Sequence, residues 1–265
     1  MKRLITLTLL FAVFAAQSVF AQSDWRSGID WKEPPIVTPG KTDSDPPSDA
    51  IVLFDGTNLD AWDKQAWTVN GDGSMTVKPG SGDMGTKQKF GSVQLHIEFA
   101  TPERDKNSTG QGPGNSGVFL MNHYEVQVLD SYDNVTYFDG QCAGIYKQRA
   151  PMVNVCRKPG EWQSYDIIFN RPELKIEDGK VVEVIRPAYI TVIHNGVLVV
   201  MNHEIEGDTF YHIAPHYVAH DDKEPIRLQD HGNLTKFRNI WVREIPDTNA
   251  KPPRTREPYY ADAPR

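Results

Sequence analysis

Ser92-Val-Gln-Leu-His-Ile-Glu-Phe99 alternates polar and apolar side chains at every step. Successive side chains of a strand point to opposite faces, so Val93, Leu95, Ile97 and Phe99 share one face, as in a half-buried strand. A second signal lies downstream, where Tyr189 to His194 and Val197 to His203 flank Asn195-Gly196. That dipeptide suits the two positive-φ positions of a type I′ turn, which makes the pair a hairpin. A two-residue loop would set His194 opposite Val197 and Val192 opposite Val199. Further strands are expected at Ile51 to Phe54, Ser74 to Lys78, Val118 to Met121, Tyr124 to Leu129 and Tyr165 to Phe169, separated by Gly, Pro, Asn and Asp clusters. No segment carries a convincing amphipathic helix pattern. Many strands without crossover helices predict an all-β antiparallel sandwich.

The chain of 265 residues has ordinary charged and aromatic fractions for a folded protein. Residues 1–21 read as a secretory signal: Lys2 and Arg3, an apolar run from Leu4 to Phe14, and Val19-Phe20-Ala21 as a small-residue cleavage site. No cysteine sits at that junction and no later apolar run is long enough to span a bilayer, so a soluble protein, exported to the periplasm or the extracellular space, is expected. Without Lys2 and Arg3 the chain carries 26 basic against 35 acidic side chains, a net charge of −9. That balance disfavours a nucleic-acid partner. Residues 22–49 are Pro-rich and read as a linker or arm, with Trp25 and Trp31 able to dock. Residues 246–265 read as a tail, which leaves 50–245 as the domain. Cys142 and Cys156 are the only cysteines, and in an exported protein they are expected to form one disulfide.

Chemistry-bearing residues concentrate in two places. In Tyr124-Glu-Val-Gln-Val-Leu-Asp130, alternation sets Glu125 and Gln127 on the face opposite Tyr124, Val126 and Val128. If the valines are core, Glu125 and Gln127 face solvent or a concave cleft. In Ile226-Arg-Leu-Gln-Asp-His-Gly-Asn233 a strand runs into a polar corner, where Asp230 and His231 could pair as carboxylate and imidazole, with Gln229 and Arg238 as nearby donors. An ordinary polar turn closing a hairpin has the same composition. The loop Gly112-Pro-Gly-Asn-Ser-Gly117 brings backbone close to any ligand, and Asn115 could bind a sugar hydroxyl. No helix follows it to make a phosphate site, and no serine-hydrolase motif surrounds Ser116. The eight histidines, His194, His203, His212, His216 and His220 among them, show no HExxH spacing, so a metal site would have to assemble from distant strands.

The segments Leu53-Phe-Asp-Gly-Thr-Asn-Leu59, Gly114-Asn-Ser-Gly-Val-Phe-Leu120, Glu125 to Asp130, Gly160-Glu-Trp162, Leu228 to Asn233 and Phe237-Arg-Asn-Ile-Trp241 together resemble the 3-keto-disaccharide hydrolase family, the 3-keto-glycoside lyase/hydratase domains. The resemblance spans about Ala50 to Ile245. It implies a lectin-like, concanavalin A-like jelly roll and an exported enzyme acting on an oxidised, 3-keto glycoside, with a sugar 3-dehydrogenase as functional partner. A ketone at C3 acidifies the C2 proton, so a base can remove it while the C1 glycosidic oxygen departs, and water then adds to the unsaturated ketone. Such a site needs a base, an enolate stabiliser and an acid. The family-like motifs offer Glu125, Asp230 and His231 for proton transfer, and Asn115, Gln127, Gln229 and Arg238 for holding the sugar. A divalent metal could stabilise the enolate instead. The spacing of Glu125, Gln127 and Asp130 also resembles the acid cluster of jelly-roll laminarinases, but the central amide removes the carboxylate pair that double displacement requires. A non-catalytic lectin-like module is the alternative on the same face. The stretch from Leu174 to Arg186 has no counterpart in the family pattern.

Overall fold

A computed structural model describes residues 25–105, 107–247, 253–257 and 259–260. The signal-like segment 1–21 lies outside them. The described strands are β1 (Trp25–Arg26), β2 (Ile51–Phe54), β3 (Thr68–Val69), β4 (Met75–Thr76), β5 (Met84–Phe90), β6 (Val93–Ala100), β7 (Ser116–Leu120), β8 (Tyr124–Val128), β9 (Gln163–Asn170), β10 (Glu173–Glu177), β11 (Lys180–Arg186), β12 (Tyr189–His194), β13 (Val197–Glu204), β14 (Glu224–Leu228), β15 (Lys236–Glu244) and β16 (Tyr259–Tyr260). The one helical element among the described residues is a 3-10 turn, Phe138–Gly140.

Two antiparallel sheets form the body. The larger runs β13-β12-β9-β6-β15-β4-β3, with β2 also paired to β15, and the smaller runs β5-β14-β7-β8. The expected all-β antiparallel sandwich is therefore the architecture, consistent with a jelly roll. Its core follows from alternation. Val93, Leu95, Ile97 and Phe99 of the larger sheet face Val118, Leu120, Tyr124, Val126, Val128, Ile226 and Leu228 of the smaller, all of them buried. Phe99 and Tyr165 add an aromatic contact at 4.7 Å between ring centroids. With the valines of β8 committed inward, Glu125 and Gln127 are forced onto the outer face of the smaller sheet, as are Arg227 and Gln229 of β14 and its extension.

The hairpin at Asn195-Gly196 is present, with both residues at positive φ (52° and 78°). His194 pairs with Val197 as expected, but Val192 pairs with Val200 rather than Val199. A register shift inserts one residue into β13, and this lets Val199 and Val200 both be buried. The stretch from Leu174 to Arg186 is a separate two-stranded ribbon, β10 with β11.

The segments flanking the domain differ from a plain linker and tail. The described residues up to Pro35, with 253–257 and 259–260, form one compact unit in which β1 pairs with β16. Within the main unit, Ser44 O accepts hydrogen bonds from Trp241 Nε1 and Asn239 Nδ2, each at 2.9 Å, and Asp49 pairs with Arg243. The second half of the expected linker is thus a strap across the larger sheet. Asp247 likewise binds Arg171 and Ser92.

Beside this strap lies a buried charge cluster. His96 Nδ1 is 2.7 Å from Asp166, its ring stacks on Trp241, and its Nε2 is 3.7 Å from Glu98, which is also held by Arg238 and Asn239. Asn239 occupies a left-handed position (φ 44°) at a register shift in β15, a conformation Asn tolerates better than most residues. Burial alone would depress His96, but the hydrogen bond to Asp166 and the nearby Glu98 carboxylate outweigh it and raise the imidazole to about 9. Burial likewise opposes ionisation of Glu98, yet His96, Asn239 and Arg238 hold it down to about 2. The raised imidazole contributes stability that is complete below its unfolded value near 6.5 and is lost as pH rises through about 9. The depressed carboxyl contributes stability present above about 4.5 and lost as pH falls through about 2. Urea unfolding should therefore show a loss on the order of 3 kcal/mol between pH 6 and 9.5 from the imidazole. The His96→Gln variant should lack that component, and an unchanged pH dependence in it would refute the assignment.

Candidate active site

The outer face of the smaller sheet holds a cleft of about 570 Å³, lined by Gln111, Asn115, Phe119, Glu125, Gln127, Tyr137, Tyr146, Thr209, Tyr211, Arg227, Gln229 and His231. Its floor is set by register. Phe119 lies opposite Glu125, and Gly117 opposite Gln127, in the β7-β8 pair. A Cβ on Gly117 would come within 2.5 Å of Glu125 Oε1, so the glycine makes the space the carboxyl occupies. Its walls are loops. Residues Ala143 to Tyr146 run along the free edge of β8: Gln127 N donates to Gly144 O, and Tyr146 N donates to Glu125 O. Val126 and Ile145 bridge, which sets Tyr146 beside Glu125 on the cleft face. A further part of the wall comes from the connection after β13. Thr209 Oγ1 accepts from Glu125 N at 3.0 Å, and Tyr211 stands exposed beyond it.

Glu125 is 4% exposed. Burial is the main cause pushing its carboxyl up to about 8, with Asp83 adding to the rise and Arg227 opposing it. Glu125 is therefore largely a neutral acid at neutral pH. The Gln127 amide lies 3.0 Å from Glu125 Oε1 on one side and 2.9 Å from Gln111 Oε1 on the other. Gln111 is anchored in turn by donating to Thr136 Oγ1 and Gly140 O, both at 2.8 Å. Arg227 pairs with Asp83, donates to Asn122 O and lies 3.7 Å from the centre of the Phe119 ring.

Of the residues expected from the sequence, Asn115, Glu125, Gln127, Gln229 and His231 meet in this one cleft. Asp230 and Arg238 do not. The Asp230 carboxylate accepts from Gly82 N and Gly232 N, each at 3.0 Å, and its own N donates to Asp83. It clasps the corner that carries His231 instead of orienting the imidazole. Arg238 lies on the larger sheet, 2.6 Å from Glu98 and over the Trp162 ring at 4.1 Å, because alternation along β15 turns it away from the core. Asp130 is buried with Arg104 at 2.6 Å, also away from the cleft.

Cys142 and Cys156 stand as two thiols, where a disulfide was expected. The two side chains lie within hydrogen-bonding reach of each other, and each has other partners: Cys142 Sγ lies 3.0 Å from Tyr165 OH, and Cys156 Sγ contacts the carbonyls of Leu129 and Arg157. Burial pushes the Cys142 thiol up.

Not anticipated from the sequence are Gln111, Arg227, Tyr137, Tyr146, Thr209 and Tyr211. For Arg227 the signal was there, since it shares a strand face with Gln229. The others come from loops, where no periodicity marks direction. Among the described residues no three His, Cys, Asp or Glu side chains gather as a metal site. Asp83 is bound to Arg227, so a divalent cation here would draw on Glu125, amides and water. No described helix is long and apolar enough to cross a membrane.

Residues 49–243 match the family of 3-keto-alpha-glucoside-1,2-lyase-like domains. Among solved structures, a protein of Parabacteroides distasonis ATCC 8503, provisionally described as a glycosyl hydrolase, is 45% identical, with 82% of this chain and 94% of that one covered at a TM-score of 0.75. A second protein of the same organism, described in the same terms, is 22% identical over 74% of this chain and 99% of that one at a TM-score of 0.53, a likeness of fold. No curated protein matches the chain.

Proposed function

The chain belongs to the family of 3-keto-alpha-glucoside-1,2-lyase-like domains, and from that membership we propose that it cleaves 3-keto-glycosides by eliminating across C1 and C2 and then hydrating the product. The observation that carries this reading is the meeting of Glu125 and His231 in one cleft, although more than a hundred positions separate them. A binding module has no use for a buried neutral carboxyl in the same cleft as an exposed imidazole. An elimination needs such a pair. His231 takes the C2 proton as the general base. Glu125, held protonated by burial, gives its proton to the departing glycosidic oxygen. Asn115, Gln127 and Gln229 hold sugar hydroxyls. Water then adds at C1, and the net result is hydrolysis without a carboxylate nucleophile.

The substrate must arrive already oxidised at C3, which calls for a sugar 3-dehydrogenase upstream. The signal-like segment 1–21 supports a reaction outside the cytoplasm. The test is to incubate purified protein with paired 3-keto and unoxidised disaccharides, with and without chelator. Turnover is expected only for the 3-keto member of each pair. A protein that binds these sugars and never turns them over is a lectin-like module, and cleavage of unoxidised sugar would overturn the elimination.

A further inference from the structure

An elimination through an enolate leaves one requirement unmet by the groups so far assigned, namely a donor for the charge that develops on the C3 oxygen. Several donors of the cleft are committed to protein partners. Gln111 Nε2 donates to Thr136 and Gly140 and Asn115 Nδ2 to Gln111 O, while Arg227 donates to Asp83 and Asn122 O and keeps only a buried Nε. Tyr137 and Tyr146 differ, because they form a pair. Tyr137 OH and Tyr146 OH lie 2.6 Å apart, so one hydrogen joins them. Two phenols carry two hydrogens. Whichever ring donates within the pair, one O–H remains for a ligand in the cleft they both line.

We propose that the Tyr137–Tyr146 hydroxyl pair is the donor that receives the negative charge on the C3 oxygen of the substrate as the C2 proton leaves. The assignment rests on the elimination reading above. Its atoms balance as follows: the C2–H bond breaks, the proton goes to His231, and the electron pair forms C2=C3 with its charge on the C3 oxygen, where a phenol O–H shares its hydrogen. The pair then returns to restore C3=O, C1=C2 forms, and the C1–O bond breaks with the Glu125 proton going to the leaving oxygen.

Placement supports the role. Tyr146 is anchored beside Glu125 by its backbone bond to Glu125 O, which sets their Cβ atoms about 5 Å apart as cross-strand neighbours. Two side chains rooted so close on one face can reach the C1 and C3 oxygens of one ring. Tyr137 is held from below by Gly140, where a Cβ would lie 2.0 Å from the ring. Above the same ring the Lys147 ammonium sits 3.6 Å from its centre, with Tyr211 and Tyr146 rings at 5.8 and 5.9 Å. A cation on the ring face draws charge from the phenol and strengthens its hydrogen as a donor. Burial keeps both phenols protonated by raising them from the usual tyrosine range. A hydrogen-bond donor that stays neutral, fixed before the charge appears, is the arrangement that stabilises an enolate most effectively.

The experiment follows two readouts in Tyr137→Phe, Tyr146→Phe, Lys147→Ala and Lys147→Arg: cleavage of a 3-keto disaccharide, and uptake of solvent deuterium at C2 of 3-keto-glucose by NMR. Exchange reports enolate formation without glycosidic cleavage. The expected result is a loss of about 10²–10³-fold in both exchange and kcat for each Phe variant, with KM changing less, a smaller loss in Lys147→Ala, and recovery in Lys147→Arg. Thermal midpoints near wild type in at least one Phe variant show that the loss is not unfolding. Both Phe variants exchanging within threefold of wild type would overturn the proposal, and so would loss of cleavage with exchange intact. A wild type that neither exchanges nor cleaves removes the elimination reading itself.

Discussion

Replacing Glu125 by Gln or His231 by Asn should lower turnover of a 3-keto glycoside by about 10²–10⁴-fold, the usual worth of a positioned acid or base. The two residues serve successive steps of one elimination on the same sugar ring, so the double variant should lose less than the product of the single losses. The pH dependence separates their roles. Glu125 must be protonated to act on the leaving oxygen, and its carboxyl is raised to about 8, chiefly by burial. Wild-type turnover should therefore fall as pH rises through about 8. Glu125→Gln has no such carboxyl, so the alkaline limb should vanish from its residual activity. Stability should move the other way. A carboxyl raised on folding contributes stability that is complete below about 4.5 and lost as pH rises through about 8. Gln is neutral throughout, so the thermal midpoint of Glu125→Gln at pH 8 should exceed that of wild type, a gain in stability at the expense of function. Near-normal turnover in both single variants would refute the assignment of proton transfer to this pair.

The reach of the sequence can be followed residue by residue. Strand alternation identified both faces of β6 and β8, because a chain buried on one side must repeat with period two. It also set Glu125 and Gln127 on the face away from the valines, which is where they lie. Alternation does not show what covers that face. The depth of Glu125 comes from the segment Ala143–Tyr146 and from Thr209, loop residues whose direction is set by tertiary pairing. Arg238 illustrates the opposite failure. It follows the Asp230–Asn233 corner closely in sequence, but the chain crosses from the smaller sheet to the larger in between, so nearness along the chain became distance in space. Adjacency suggests Asp230 as a partner for His231, yet neighbours on a turn diverge, and its carboxylate serves the backbone of Gly82 and Gly232. The strap at Ser44 was hidden for a different reason. It docks through a backbone carbonyl accepting from Trp241 and Asn239, an interaction that leaves no mark on the side chains of the Pro-rich segment.

The last expected result concerns a residue with no chemistry of its own. Gly117→Ala should reduce turnover by about 10²-fold, since small misplacements of a catalytic group cost on that scale. The change adds one methyl to the cleft floor, 2.5 Å from Glu125 Oε1, 2.8 Å from Phe119 Cε2 and 3.1 Å from the Glu125 carboxyl carbon. These contacts are closer than atoms can approach, so something must move. The atoms in the way are the ends of two side chains, whereas the β7-β8 backbone is held by the pairing of Ser116–Leu120 with Tyr124–Val128. The carboxyl should therefore swing from its place beside Tyr146 and Gln127 while the sheet stays as it is. Gly117 is not among the positive-φ glycines, so an alanine meets no backbone strain there. Removing a glycine also lowers the entropy of the unfolded chain, so the thermal midpoint should move by only a few degrees. Displacing the carboxyl toward water should also lower its protonation range, so the alkaline limb of the residual activity should shift below pH 8. An alanine variant with wild-type turnover would show that the position of Glu125 is not what the glycine protects. A variant that unfolds at ordinary temperature would show that the β7 backbone, not the carboxyl, yields to the methyl.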